Sequence, residues 1–366
     1  MQSLRLLADD LTGALDTSAE LVGACGPLKI YWSIDEPPAG RASFAFDSGT
    51  READANEAAA IVRRLTPLLC GAAIAFKKID SLLRGPWAAE LAACLQAGSW
   101  DACIVAPAFI HQGRRTRGGQ QYARASDGSW SAVGGNLVEQ LRRHNLETRL
   151  ADPRSNAETD LPPGVSVFDA EGDQDLDRVV DIGRRYSGRV LWCGAGGLAA
   201  ALARGTQANL PRSLKAPVLG VFGSDHAATD AQLEACQDIV IRAAEGYLDL
   251  DAVKRRLDQG IALVRLTPPG TRSRTQAAQH FAEEIMRLSQ SIEKPATLII
   301  AGGETLKAQC LAVEARALKV LGRLEPGVPK SVIQGGAWAG VDVISKSGAF
   351  GPPGLWRNLL RENNLI

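Results

Sequence analysis

"FKKIDSLLRGPWAAEL", residues 76–91, places two lysines, an aspartate, a serine and an arginine between Lys77 and Arg84. An apolar run, "GAAIAF" (71–76), leads into them, and a helix-like pattern, "WAAELAACLQA" (87–97), follows. The first reads as a strand and the second as a helix. Polar groups gathered at such a handover point to function, because parallel α/β sheets bind ligands at the carboxyl ends of their strands. If the strand runs on through "KK", its two lysines face opposite sides, and at most one of them faces a site.

The same unit recurs on both sides. "LRLLA" (4–8) reads as a strand and "LTGALDTSAELVGAC" (11–25) as its helix. "ASFAFDSGT" (42–50) and "EADANEAAAIVRRLTPLL" (52–69) repeat the pair, and "DACIVAPAF" (101–109), "GVSVFDA" (164–170) and "RVLWCGAGG" (189–197) add strands. Residues 110–136 are polar, glycine-rich and basic, as a long loop or a hairpin excursion is. Turn formers without periodicity mark a boundary in "RGTQANLPRSLKAP" (204–217). A second series follows: strands at 218–224, 262–267 and 296–303, helices at 230–245 and 276–293. The expected fold is α/β with two domains, 1–212 and 213–366. Each is a mainly parallel sheet flanked by helices.

The chain has 366 residues, enough for two domains with their own cores. Lys plus Arg and Asp plus Glu number 41 each, which gives no basis for nucleic-acid or membrane-surface binding. Seven cysteines, an odd number without CxxC spacing, read as free thiols of a reducing cytoplasm, and four histidines make a His-based metal site a poor reading. The N-terminus lacks the apolar core of a signal peptide, and the best apolar run, "LWCGAGGLAAALA" (191–203), is too short to span a bilayer.

Four polar clusters fall at expected strand ends: "ADD" (8–10), "DSGTR" (47–51), "KKIDSLLRG" (77–85) and, just beyond the fourth strand, "GRRTRGG" (113–119). Each alone has a plain reading. Asp9 or Asp10 caps a helix, Arg51 is a solvated first-turn residue, Asp80 or Ser81 is another cap, and paired lysines lie on the surface. Together they describe a site for a small hydroxylated anion, with Arg and Lys for a carboxylate and Asp for hydroxyls. In the second half, "VFGSDHAAT" (221–229) and "IIAGGETLKA" (299–308) reach helix starts through glycine turns, a geometry suited to phosphate. "GGAWAGVDVISKSGAFG" (335–351) is a third glycine-rich segment. Neither a P-loop nor a dinucleotide fingerprint is present.

In order, "LLADDLTGALD", "KKIDSLLRG", "APAF…GR", "GS…T…Q", "AGGETLKA", "EPGVP" and "SKSGAFG" resemble the four-carbon acid sugar kinases, from residue 6 to about residue 351. The resemblance implies an ATP-dependent kinase that phosphorylates the terminal hydroxyl of threonate, erythronate or an oxo-tetronate, with the acid on the N-terminal domain and ATP, with Mg²⁺, on the C-terminal one. It implies an active site in the interdomain cleft and closure of the two domains on their substrates. By matching motif, Asp10 or Asp9 would be the base. Arg51, Lys78, Asp80, Ser81, Arg84 and Arg114 would contact the acid. Ser224, Gly302, Gly303, Glu304, Thr305 and Gly348 would contact the nucleotide. Glu304 stands where the family more often has Asp, which keeps a carboxylate toward magnesium, and no residue is assigned as a direct metal ligand. The loop "QQYARASDGSWSAVGG" (120–135) departs from the family's acidic continuation, so the identity of the acid turns on it. The expected partners are the sugar acid and ATP, without nucleic acid or membrane, and a homo-oligomer is compatible with the sequence. Two other readings remain: a kinase for a different hydroxy acid, and a non-catalytic binding protein on the same fold.

Overall fold

In the computed structural model, which describes residues 1–33, 42–125, 127–155, 160–267, 270 and 273–366, the chain divides into two units, Met1–Ala208 and Asn209–Ile366. The short apolar runs of the first unit form β1 (Leu4–Ala8), β2 (Leu28–Tyr31), β3 (Phe44–Asp47), β4 (Ile74–Lys78) and β5 (Ala102–Ala106). After these come β6 (Arg114–Arg117), β7 (Gln120–Arg124), β8 (Trp130–Val133), β9 (Thr148–Ala151), β10 (Gly164–Phe168) and β11 (Val190–Gly194). The helices between them are α1 (Leu11–Cys25), α2 (Ala55–Leu65), α3 (Trp87–Ala97), α4 (Leu137–Arg142), α5 (Asp173–Arg185) and α6 (Gly196–Leu202).

The sheet of this unit runs β2-β3-β1-β4-β11-β5-β10-β9, with every neighbouring pair parallel. Helices bury their apolar faces on it, so that Leu7, Phe46, Trp87, Leu91 and Val105 share one core. Each such side chain contributes about 1.5–3 kcal/mol on burial. The helix expected over 52–69 is shorter. Asp54 caps α2 by accepting from the N–H groups of Asn56 and Glu57, and beyond Leu65 the chain tightens into a 3₁₀ turn, Thr66–Leu69, around Pro67. The polar stretch 110–136 is a hairpin excursion: β6, β7 and β8 form a separate antiparallel sheet, with residue 126 outside the described residues.

The second unit holds β12 (Val218–Phe222), β13 (Val240–Arg242), β14 (Ile261–Arg265), β15 (Thr297–Ala301), β16 (Ala317–Glu325), β17 (Val328–Gln334) and β18 (Asp342–Lys346). Its helices are α7 (Ala227–Glu234), α8 (Leu250–Asp258), α9 (Arg274–Ser291), α10 (Gly303–Ala312) and α11 (Leu355–Glu362). The order is β13-β14-β12-β15-β18-β17-β16, parallel as far as β18 and antiparallel after it. The helix expected over 230–245 is a correction: α7 ends at Glu234 and 240–242 is strand. The run Ile239-Val240-Ile241 is β-branched, and such residues favour a half-buried strand over a helix. Segment 209–214 is tied into this unit, with Leu210 N–H donating to Arg323 O at 2.8 Å and Arg212 pairing with Glu325 and, at 2.8 Å, Glu362.

The α/β, two-domain expectation therefore holds. All seven cysteines are free, and six are buried. Among the described residues no helix is long and apolar enough to cross a membrane.

Candidate active site

Strands β3, β1 and β4 are neighbours, so the polar segments that follow them meet at one end of the sheet. Asp10 is the cap of α1: its Oδ1 accepts from Gly13 N–H at 3.0 Å and its Oδ2 from Thr12 Oγ1 at 2.6 Å. Asp9 makes no cap. Its carboxylate takes Arg51, with Nε on Oδ2 and Nη2 on Oδ1 at 2.8 Å. The same guanidinium reaches Asp10 Oδ1 at 2.7 Å and lies 3.5 Å from Asp80 Oδ1. Arg51 is thus a clasp across three strand ends, not a solvated first-turn residue. Burial works to raise the Asp9 carboxyl, but the charge and hydrogen bonds of Arg51 outweigh it and hold it below the usual carboxylate range.

The two lysines of the opening stretch part company, as the pleat requires. Lys77 is fully buried and pairs with Glu90 Oε2 of α3 at 2.6 Å; Glu90 is equally buried. Lys78 turns to the other face, toward α1. A Cβ built on Gly13 would lie 2.8 Å from Lys78 Nζ and 2.4 Å from Asp10 Oδ1, so only glycine admits the ammonium against the helix here. Lys78 is 5% exposed, and its ammonium has no hydrogen-bond or ion-pair partner among the described residues.

Asp80 and Arg84 close on each other through Nε–Oδ2 at 2.7 Å and Nη2–Oδ1 at 2.9 Å. Burial would raise the Asp80 carboxyl, but the Arg84 hydrogen bonds and the Arg51 and Arg84 charges hold it well below the usual range. Arg114 lies within the electrostatic reach of this pair and is desolvated; its Nη1 donates to Gln112 O at 2.6 Å, and its buried Nε has no hydrogen-bond partner among the described residues. Ser81 is held from the hairpin sheet, where the buried Gln121 donates to Ser81 O at 2.9 Å and to Pro107 O at 3.2 Å, and its own Oε1 accepts from Thr116 at 2.7 Å. The excursion is therefore pinned beside the polar edge. Gln121 was not singled out in the sequence, and its position inside a polar loop gave no signal.

In the second unit the expected nucleotide residues also converge. β12, β15 and β18 are adjacent parallel strands. Ser224 follows the first, Gly302 to Thr305 the second and Gly348 the third. A Cβ on Gly348 would lie 2.0 Å from Ser224 Oγ, and one on Gly302 would lie 3.3 Å from Thr305 Oγ1. Gly302 has φ +104, which only glycine adopts readily, and no side chain caps α10 behind it. Glu304 lies in the first turn of α10, where the helix's unbonded N–H groups and the positive end of its dipole also lie. The loop after β18 is bolted down by residues that the motif "GS…T…Q" contained without a role. Thr229 Oγ1 donates to Gly348 O at 2.9 Å, and Gln232 Nε2 donates to Phe350 O at 2.8 Å. Lys346 joins them, donating to Gly348 O at 3.0 Å, and its burial lowers it to about 7.

Among the described residues no group of three or more His, Cys, Asp or Glu side chains is arranged to hold a metal ion.

Comparison with known proteins agrees with this division. A family model described as a sugar-binding N-terminal domain matches residues 4–148, and one described as a nucleotide-binding C-terminal domain matches 219–355. A D-threonate kinase of Cupriavidus necator is 31% identical, with 94% of each chain covered. A D-threonate kinase of Bordetella bronchiseptica is 28% identical over the same 94% of each. A crystal structure of a Haemophilus influenzae protein superposes with a TM-score of 0.70 at 18% identity, covering 98% of this chain and 99% of that one, which shows a shared fold.

Proposed function

We propose that this chain, which belongs to the four-carbon acid sugar kinase family, transfers the γ-phosphoryl group of ATP to the terminal hydroxyl of a tetronate, the acid lying on the first unit and the nucleotide on the second. One observation carries the reading. Arg51 and Arg84 are each ion-paired with carboxylates, whereas among the described residues no carboxylate stands within ion-pair distance of Lys78 or Arg114 at the same edge. Two cations without a close ion-pair partner suit a substrate with a carboxylate at one end and an incoming phosphoryl group at the other. Arg114, beside Arg84, is assigned to the carboxylate. Lys78, beside the start of α1, is assigned to the phosphoryl end. Ser81 and Asp10 orient hydroxyls between them.

Phosphoryl transfer depends on positioning and charge neutralisation. Ser224, the uncapped start of α10 and Gly348 would seat the phosphates. Magnesium, when bound, would neutralise phosphate charge, with Glu304 as the carboxylate nearest in role. The free, mostly buried thiols support work in a reducing cytoplasm.

A panel of both enantiomers of threonate and erythronate, with their 3-oxo counterparts, tests the reading through ATP consumption. Turnover on one or more is expected. No turnover on any of them, with turnover on another hydroxy acid, would move the assignment to that acid. ATP left intact with every acid would end the kinase reading.

Gly348→Val probes the nucleotide corner. Its side chain would drive into Ser224. Loss of one charge-assisted hydrogen bond to phosphate corresponds to roughly 10–100-fold in affinity. Calorimetry with ATP should show a rise of that size, and an unchanged Kd would detach this loop from the nucleotide.

A further inference from the structure

We propose that Asp16, on the second turn of α1, is the catalytic residue that accepts the proton of the substrate hydroxyl, with Lys78 beside it as the cation that meets the charge developing there. This rests on the kinase reading above. The candidates at the strand end are already engaged. Both oxygens of Asp9 serve Arg51, and the two oxygens of Asp10 take Gly13 N–H, Thr12 Oγ1 and Arg51 Nη2 between them. A carboxylate committed to a guanidinium is a poor base, because the partner stabilises the form without the proton.

Asp16 differs in both respects. Its Oδ1 accepts one bond, from Thr17 Oγ1 at 3.1 Å, and its Oδ2 has no partner among the described residues. It lies three residues beyond Gly13 on α1, so the two are neighbours on the helix surface. That surface carries the gap at residue 13 into which the Lys78 ammonium fits. Lys78 makes no hydrogen bond or ion pair among the described residues, and the carboxylates that act on it from further off are Asp9, Asp16 and Asp80, so its ammonium is open to a bound anion.

The groups that bear on Asp16 are Lys78 from β4, with Asp10, Thr17 and Glu20 from its own helix. Burial dominates and raises its carboxyl, Asp10 and Glu20 add to this, Lys78 and Thr17 oppose it, and the result is about 7. A general base works best with its pKa near the operating pH. In the step, the O–H bond of the substrate breaks toward Asp16 Oδ2 as the hydroxyl oxygen bonds to the γ-phosphorus. The bond from that phosphorus to the bridging oxygen breaks, ADP leaves with the electron pair, and the proton passes from Asp16 to solvent.

The test uses the full chain, its preferred acid from the panel and ATP. For Asp16→Asn, kcat should fall about 10²–10⁴-fold, the usual contribution of general acid–base catalysis. KM for the acid should move little, since the amide keeps shape and hydrogen bonding. In the unmodified protein kcat should rise with pH through a limb near 7, and Asp16→Asn should lose that limb. Lys346, also near 7, titrates in the opposite sense, so a limb in which activity falls as pH rises belongs to it. Asp16→Glu, which keeps the carboxylate, should retain more activity than Asp16→Asn. Near-normal kcat in Asp16→Asn, or a wild-type kcat that is flat from pH 5 to 8, overturns the assignment while leaving the kinase intact. If Asp16→Asn does not fold, the wild-type profile and Asp16→Glu decide. Absence of turnover in the unmodified protein removes the kinase reading, and this assignment with it.

Discussion

Lys78→Met should lower kcat on the preferred acid by about 10²–10³-fold, the usual loss when one preorganised donor to developing charge is removed. Methionine matches the length of the stem and removes only the ammonium. Because Lys78 as a residue is 5% exposed and its ammonium makes no hydrogen bond or ion pair among the described residues, the folded state gives up little when that charge goes. The melting temperature should hold or rise, since a charge kept in a dry setting for function costs stability. A second signature is electrostatic. Lys78 lowers the Asp16 carboxyl, so its removal should move the limb in kcat to higher pH. Turnover within threefold of the unmodified protein would return Lys78 to a packing role. A melting temperature several degrees lower, with turnover equally reduced, would make the lysine structural.

How far the sequence reached depended on what kind of regularity each feature carries. Strand ends were legible because short apolar runs stop at polar residues, and Asp9, Asp10, Arg51, Asp80 and Arg84 do come together as that pattern implies. The divergence of Lys77 and Lys78 was legible from the two-residue period of a strand. The choice of Lys78 over Lys77 came from the matching motif and not from the period, because it depends on Glu90 and Gly13, whose neighbours in space lie elsewhere in the chain. Adjacent lysines suggested surface charge, yet both are buried, Lys77 at 0% and Lys78 at 5% exposure. Asp9 and Asp10 were equivalent as caps on composition alone, and the backbone turn at Asp10 separates them. Asp16 sat inside a quoted motif without a role, since helical spacing places it on a face but does not say what the face meets. In the second unit the antiparallel pair β16 and β17 was not expected. Its turn, closed at Pro326 and Gly327, lies within "EPGVP", which served as a signature and not as a hairpin.

Glu90→Ala should cost about 3–5 kcal/mol of stability, the range seen when one partner of a buried pair is removed. Lys77 and Glu90 are 0% and 1% exposed, and the ammonium they would leave behind has Lys78 O at 3.2 Å as its remaining acceptor. Glu90, with Asp9, keeps Lys77 charged against a burial that would discharge it. Urea unfolding should therefore show a midpoint well below that of the unmodified protein. Replacing both partners, Lys77→Met with Glu90→Leu, removes the two desolvation costs together and is expected to recover most of the loss. Turnover separates two roles for the pair. Lys77 Nζ holds the carbonyl of Lys78, so the double variant keeps the core filled but frees the backbone that carries the site's lysine. Stability should return while kcat stays several-fold low. If kcat recovers along with the urea midpoint, the pair only fills the core, and Lys78 is placed by the strand ladder of β1, β4 and β11 alone.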